Sequence, residues 1–166
     1  PETNGRVVFL QIPEGKMVAA GTVLAKLNDA DLQAQLQKIK VQLELANINE
    51  QRNKKLVLAK GINQSDYDIS LQQVNSLKAD MAYTQSLIDK TVIKAPFAGQ
   101  IGLKQISLGA FISTATTVVT LQKLDQLKVD FTLPELYQNY IKVGKKITVE
   151  SIANPGVKMT ATIAAI

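Results

Sequence analysis

The side chains capable of chemistry in this sequence are few, and most of them sit where a helix would begin. Asp29 with Asp31 and Asp66 with Asp68 are the two close carboxylate pairs. Paired carboxylates serve general acid and base catalysis or Ca²⁺ loops, but each pair here opens a long helix-patterned run, where free N–H groups and the macrodipole favour negative charge. They read as first-turn and capping residues. The chain has no histidine and no cysteine, which removes the commonest general base, the commonest zinc ligand, thiol catalysis and disulfides together. The Gly-Lys pairs in GKMVAAG (15–21) and VGKK (143–146) lack the spacing of a phosphate-binding loop. Met17, Met81 and Met159 are too widely separated for a soft-metal cluster, and Met17 and Met81 fall at patterned core positions. Asn63-Gln64-Ser65 matches a glycosylation acceptor but reads as turn plus helix cap. No enzymatic activity, cofactor or metal is expected.

The composition points the same way. With 46% hydrophobic and 20% charged residues the 166-residue chain is a folded protein of one ordinary or two small domains. Its net charge of +5 is spread over scattered lysines, and aromatics are only 5% with no Trp, so no base-stacking or phosphate-binding surface is expected and nucleic acid is set aside. There is no apolar run of about 18 residues and no leader pattern. Because the sequence starts at Pro1 without Met and stops at Ile166 inside a strand pattern, it is expected to be a fragment, with any anchor or signal lying outside it.

The elements that must position anything functional are dominated by Asp29 to Thr91. Leu32, Leu36, Ile39, Leu43 and Ala46 repeat at steps of four and three, as do Tyr67, Leu71, Val74, Met81 and Ile88, with Lys78 interrupting. Two long helices joined at Gly61-Ile62-Asn63-Gln64 are expected to form an antiparallel hairpin. Gly61 suits the left-handed residue ending the first helix, and Ser65 with Asp68 suits the N-cap and acidic first turn of the second. Val41, Leu45 and Ile48 make a second apolar stripe, offset from the seam and surplus to what two helices need.

On either side of the hairpin one pattern occurs twice. GRVVFLQIPEGKMVAAGTVLAKL (5–27) and GQIGLKQISLGAFISTATTVVTL (99–121) align without a gap, so that Gly5 matches Gly99, Val7 Ile101, Gly15 Gly109, Val18 Ile112 and Leu27 Leu121. Two copies are too few for a solenoid, and neither has the apolar surface to fold alone. They are expected to be two half-domains completing one small β-sandwich, with the hairpin inserted between them and its tip roughly 45 Å away at 1.5 Å per residue. Beyond Leu124, Gln126 to Leu133 alternates as a strand, Pro134 starts a short helix to about Lys142 that Gly144 closes, and 146–151 and 157–166 read as strands around Asn154-Pro155-Gly156. The expected fold is α+β and elongated: half of a lipoyl-like domain (1–28), an α-helical coiled-coil hairpin (29–92), the second half (93–124), and part of a β-barrel domain (125–166).

This order of segments resembles the periplasmic adaptor family, also called membrane fusion proteins, of bacterial tripartite efflux pumps. The stretch 5–36 looks like the family's first half-lipoyl segment running into its hairpin. Ile93 to Gly99, IKAPFAG, matches the family's I-[RK]-A-P-F-[DA]-G return, followed by its G-x-x-[IV] step at Gly109 to Ile112. LKVDFTLPELYQNYIKVGKKITVE looks like the opening of its β-barrel domain. The resemblance covers nearly the whole chain.

The resemblance implies a hairpin tip that engages an outer-membrane channel through an Arg, a Leu four residues on, and a Ser seven after that. Arg52 and Leu56 match, Ile62 matches the apolar residue before the Ser, and Asn63 replaces the Ser. With Gly61, and with Lys54, Lys55 and Lys60 beside them, these make a basic tip suited to an acidic or carbonyl-lined surface. Val41, Leu45 and Ile48 would pack against neighbouring copies or a partner helix. The implied partners are an inner-membrane transporter, of the resistance-nodulation-division type, an outer-membrane channel, and further copies in a trimeric or hexameric ring. The implied location is the periplasm, with an inner-membrane anchor outside this fragment. Alternatives are a biotinyl or lipoyl carrier, for which the hairpin occupies the turn that should hold the modified lysine, an adaptor of an ATP-driven export system, and a purely structural coiled coil.

Overall fold

The computed structural model describes residues 1–124, 128–150, 156 and 158–166. The chain divides into two compact units, Pro1–Asp125 and Gln126–Ile166. In the first unit the order is β1 (Gly5–Leu10), β2 (Met17–Val18), β3 (Val23–Leu27), α1 (Ala30–Leu58), α2 (Gln64–Lys90), β4 (Val92–Lys94), β5 (Gly99–Lys104), β6 (Phe111–Ile112) and β7 (Val119–Gln122). Two sheets form, β4-β3-β1-β6 and β2-β5-β7, and each contains strands from both halves of the repeat.

The offset of 94 seen in the sequence is obeyed bond by bond. Gly5 pairs with Ile112 and Arg6 with Phe111, while Gly99 pairs with Val18 and Gln100 with Met17. The Val7 amide donates to the Ala110 carbonyl at 2.9 Å and the Gly109 amide to the Val7 carbonyl at 2.8 Å. Their counterparts are the Ile101 amide donating to Lys16 at 3.0 Å and the Gly15 amide to Ile101 at 2.9 Å. Gly15 and Gly109 hold φ of 73° and 83°, which is why this turn takes glycine in both copies. One core cluster joins Val7, Ala25 and Leu27 of the first half to Ile106, Ile112 and Val118 of the second. The other joins Val18 and Leu24 to Ala95 and Ile101. Each such aliphatic side chain contributes about 1.5–3 kcal/mol on burial, and only the assembled pair of halves buries them. Met17 is 66% exposed, as is Phe111 at 74%, so Met17 is not a core residue. In a two-residue strand the inward position goes to Val18 or Ile112, and its neighbour must point outward.

The hairpin leaves and re-enters this sandwich at adjacent strands. Lys26 faces Val92 across the β3–β4 pairing, and the Leu27 amide donates to the Thr91 carbonyl at 2.9 Å. Asp29 is the N-cap of α1 but makes no side-chain cap bond. Instead its Oδ2 lies 3.0 Å from Lys26 Nζ and accepts from Gln33 Nε2 at 2.9 Å. Burial alone would raise its pKa, but the Gln33 hydrogen bond and the Lys26 ammonium outweigh that and hold it below the ordinary 3.8.

The seam follows alternating steps of four and three in both helices. In α1 it is Leu32, Leu36, Ile39, Leu43 and Ala46, as the sequence indicates, continuing through Glu50, Asn53 and Val57. In α2 it is Tyr67, Ser70, Val74, Leu77, Met81, Thr84 and Ile88. Leu71, expected in the seam, is 37% exposed, and Lys78 interrupts nothing because Leu77 holds that position. Two small hydroxyls disguised the phase. Ser70 Oγ donates to Tyr67 O at 2.7 Å and Thr84 Oγ1 to Asp80 O at 2.9 Å, so both enter the seam with their polar atoms satisfied by their own helix.

In the second unit a 3₁₀ helix (Glu135–Tyr140) precedes β8 (Lys146–Glu150) and β9 (Lys158–Thr162), which pair antiparallel. The helical segment stops at Tyr140, short of the expected Lys142, and Gly144, at φ 86°, lies in the separate turn before β8 rather than closing the helix. Residues 128–133 form no strand. Alternation makes a chain extended, but a strand also needs a hydrogen-bonding neighbour, and β8 and β9 pair with each other in a sheet of two. Gln126 and Leu127 of that expected strand, Ser151 and Val157 of the next two, and the Asn154-Pro155 part of the expected turn lie outside the described residues.

The repeat makes two glycines comparable. A Cβ on Gly99 would lie 2.5 Å from the Gln122 carbonyl oxygen, whereas on Gly5 its nearest neighbour is Leu27 Cβ at 3.3 Å. Gly99→Ala is expected to cost about 1–3 kcal/mol and Gly5→Ala clearly less, measured by urea unfolding. Equal costs would contradict the close approach of β5 and β7.

Candidate docking site at the hairpin tip

The tip is built by a helix stop and a helix start four residues apart. At the end of α1 the Lys60 amide donates to Val57 O at 3.0 Å and the Gly61 amide to Leu56 O at 2.8 Å. This is a Schellman closure, in which the residue after the C-cap turns left-handed. That residue is Lys60, with φ 56°, and not Gly61 as the sequence suggests. Gly61 occupies the next position, where its amide reaches back over the last turn. α2 then starts two residues earlier than expected. Asn63 is its N-cap, with Oδ1 accepting from the Asp66 amide at 2.8 Å. Ser65 is inside the helix, and Asp68 accepts instead from Gln64 Nε2 at 2.9 Å. The signal was present as Asn63 followed three residues later by Asp66, a pattern that competes with Ser65 and Asp68 and wins.

The tip residues separate into two sets. Gly61, Ile62 and Asn63 form the connection, with Ile62 half-buried and Asn63 exposed. Its amide oxygen is engaged by the cap, which leaves the NH₂ group to donate outward. Arg52 and Leu56 are on α1, one helical turn apart and both exposed, Leu56 by 40%. Among the described residues no ion pair engages Arg52, Lys54, Lys55 or Lys60. Leu58, which sequence reasoning passed over, is 78% exposed.

The structure joins Arg52 and Leu56 to a group that the sequence treats separately. Val41, Leu45 and Ile48 are exposed by 56, 60 and 50%. At 3.6 residues per turn, Val41, Leu45, Ile48, Arg52 and Leu56 lie along one line of α1, roughly 150° around the helix from the seam. A single outward face therefore runs from an apolar stripe to a cationic, leucine-tipped end, and at Leu45 it borders a groove shared with Gln73 and Leu77 of α2.

A family model described as RND MFP, barrel-sandwich hybrid domain, matches residues 1–122. The chain belongs to this membrane fusion protein family. It is 32% identical over 168 residues to the multidrug resistance protein MdtA of Klebsiella pneumoniae, covering 89% of this chain and 41% of MdtA. An uncharacterized protein of Haemophilus influenzae is 26% identical over 165 residues, covering 99% of this chain and 43% of its own length. This membrane fusion protein chain thus spans less than half the length of these relatives. In fold it is similar to a MacA–MexA chimera carrying the Pseudomonas aeruginosa MexA α-hairpin, with a TM-score of 0.87 at 20% identity over 99% of this chain and 60% of the chimera. A putative efflux transporter from Bacteroides eggerthii gives 0.77 at 23% identity over 96% of this chain and 49% of that one.

The left-handed Lys60 is a lysine in a conformation that costs non-glycine residues about 1 kcal/mol. Lys60→Gly is therefore expected to stabilise the tip by about 0.5–1 kcal/mol, read from the protection of the last α1 amides by hydrogen exchange. Gly61→Ala, whose Cβ would meet Leu56 O at 3.4 Å, is expected to change it little.

Proposed function

We propose that this membrane fusion protein is the periplasmic adaptor of a tripartite efflux system. It bridges an inner-membrane transporter of the resistance-nodulation-division type and an outer-membrane channel, and it assembles with its own copies in a trimeric or hexameric ring. In this reading 1–28 and 93–124 are the two lipoyl-like halves, 29–92 the hairpin and 125–166 the beginning of a β-barrel domain. Among the described residues no helix is long and apolar enough to cross a membrane, and the proposed inner-membrane anchor belongs to another part of the protein. The family assignment and the relation to MdtA, a multidrug resistance protein, support export as the setting.

The observation that carries the reading is the outward face of α1. Its distal end, Arg52 with Leu56 and the connection Gly61-Ile62-Asn63, docks on the channel, the uncompensated cations meeting acidic or carbonyl groups and Leu56 entering an apolar recess. Its middle, Val41, Leu45 and Ile48, is covered by a neighbouring hairpin or a partner helix, because contiguous apolar side chains at this exposure mark an interface rather than a solvated helix. The mechanism is structural coupling and sealing of a conduit and requires no catalytic group. A carrier role finds no support, since α1 and α2 occupy the turn between the halves.

Arg52→Asp and Leu56→Asp are each expected to abolish export in cells that depend on this adaptor while leaving the circular dichroism and melting of the purified chain unchanged. Export that persists in both variants would refute the docking assignment. Val41→Glu combined with Leu45→Glu is expected to reduce both self-assembly, measured by cross-linking in intact cells, and export. If assembly and export both survive, the stripe has no partner.

A further inference from the structure

The hairpin seam changes character partway along its length. Toward the sandwich it is closed by buried side chains, Leu36, Ile39 and Ala46 from α1 and Val74, Leu77 and Ile88 from α2. The last of these toward the tip, Ala46, Val74 and Leu77, form one cluster with Leu43. Between Ala46 and Val74, among the described residues, no side chain is buried. The seam there consists of Glu50, Asn53 and Val57 on α1 and Tyr67 and Ser70 on α2. Hydrogen bonding to the Glu50 carboxylate across the seam keeps the Tyr67 phenol above its ordinary 10.0, and Ser70 spends its hydroxyl on its own helix. An open groove lined by Gln42, Leu45, Ala46, Asn49, Gln73 and Leu77 flanks the point where the closed seam ends.

These two stretches have different sources of stability. A buried aliphatic side chain contributes about 1.5–3 kcal/mol, whereas a solvated polar contact contributes about 0–1 kcal/mol. Residues 47–58 and 64–73 are also helical pieces of no more than a dozen residues, below the length at which an isolated helix holds in water. Without buried partners their helicity depends on the packed seam behind them. Segments of this kind open at lower free energy than the core they extend.

We infer that the distal hairpin, residues 47–73, opens and recloses as a unit of its own while the proximal seam stays packed, and that the tip completes its ordering on the docking partner. The inference deepens the docking reading and rests on it for the identity of the partner, while the opening is a property of the free protein. Ordering on contact would lower affinity for any surface that does not hold both helices closed, so the polar seam selects for partners that grip the tip from two sides.

The test is residue-resolved native-state hydrogen exchange on the free chain. Amides of 47–58 and 67–73 are expected to exchange through opening about 100-fold or more faster than those of 36–46 and 74–88. Equal protection along the hairpin would overturn the inference. Glu50→Leu with Asn53→Leu and Ser70→Leu extends the apolar seam to the tip and is expected to slow distal exchange on the order of tenfold or more, leaving the proximal amides unchanged. Asn53→Leu alone provides the same comparison, with a smaller shift, if the triple variant associates. A distal rate unmoved by either variant would also overturn it. The two readings fail separately: uniform exchange with docking lost in Arg52→Asp removes the opening and keeps the docking, and graded exchange with export intact in Arg52→Asp and Leu56→Asp does the reverse.

Discussion

The fold depends on a reciprocal exchange of backbone hydrogen bonds between segments 94 residues apart. Val7 binds the Gly109–Ala110 turn of the other half, and Ile101 binds the Gly15–Lys16 turn in return. Neither half has a sheet of its own, because β6 completes the sheet of β1 and β2 completes the sheet of β5. Each core cluster is likewise shared, so losing the exchange would expose Val7 and Ile101, both 1% accessible, as well as unpairing the turns. The hairpin gains a fixed base from this arrangement, since β3 and β4, the strands that carry its two arms, are hydrogen-bonded neighbours.

The repeat was the most legible feature of the sequence because identical spacing of Gly, β-branched and aliphatic residues twice over has one economical explanation. The hairpin was legible for the same reason, its seam in α1 being aliphatic. The seam of α2 was misphased, because Ser70 and Thr84 do not look like seam residues until their hydroxyls are seen bonded within the helix, and Leu71 does look like one. The tip was read correctly in its location and incorrectly in its details. Lys60 carries the left-handed turn in place of Gly61, the residue type that favours it, and Asn63 carries the cap in place of Ser65, which caps about equally well. Propensity ranks residue types, but in the five residues between Leu58 and Gln64 the closure geometry decides which of them takes each role. Residues 128–133 show the converse limit, since an alternating pattern specifies a face and not a partner.

The candidate site was visible in pieces. Arg52 and Leu56 came from a family motif, and Val41, Leu45 and Ile48 from surplus hydrophobicity. Only the helix phase unites them as one face. What no motif supplied is the relation between that face and the seam behind it, whose side chains are buried as far as Ala46 and Val74 and not beyond. The same helix therefore presents one continuous outer face over an inner seam that is packed near the base and half-buried toward the tip.

Placing the hairpin inside the sandwich also has a consequence for how the chain folds. Bringing β1 to β6 directly would close a loop of about a hundred residues, a slow search whose entropy must be met before any contact forms. Pairing of α1 with α2 would shorten that search, because it brings Leu27 to Thr91, the two residues hydrogen-bonded at the hairpin's base. Once the base of the hairpin is zipped, the two halves are as close along the effective chain as the strands of an ordinary small sandwich. The insertion proposed to carry a docking surface outward would thus also serve as a folding clamp for the domain it interrupts.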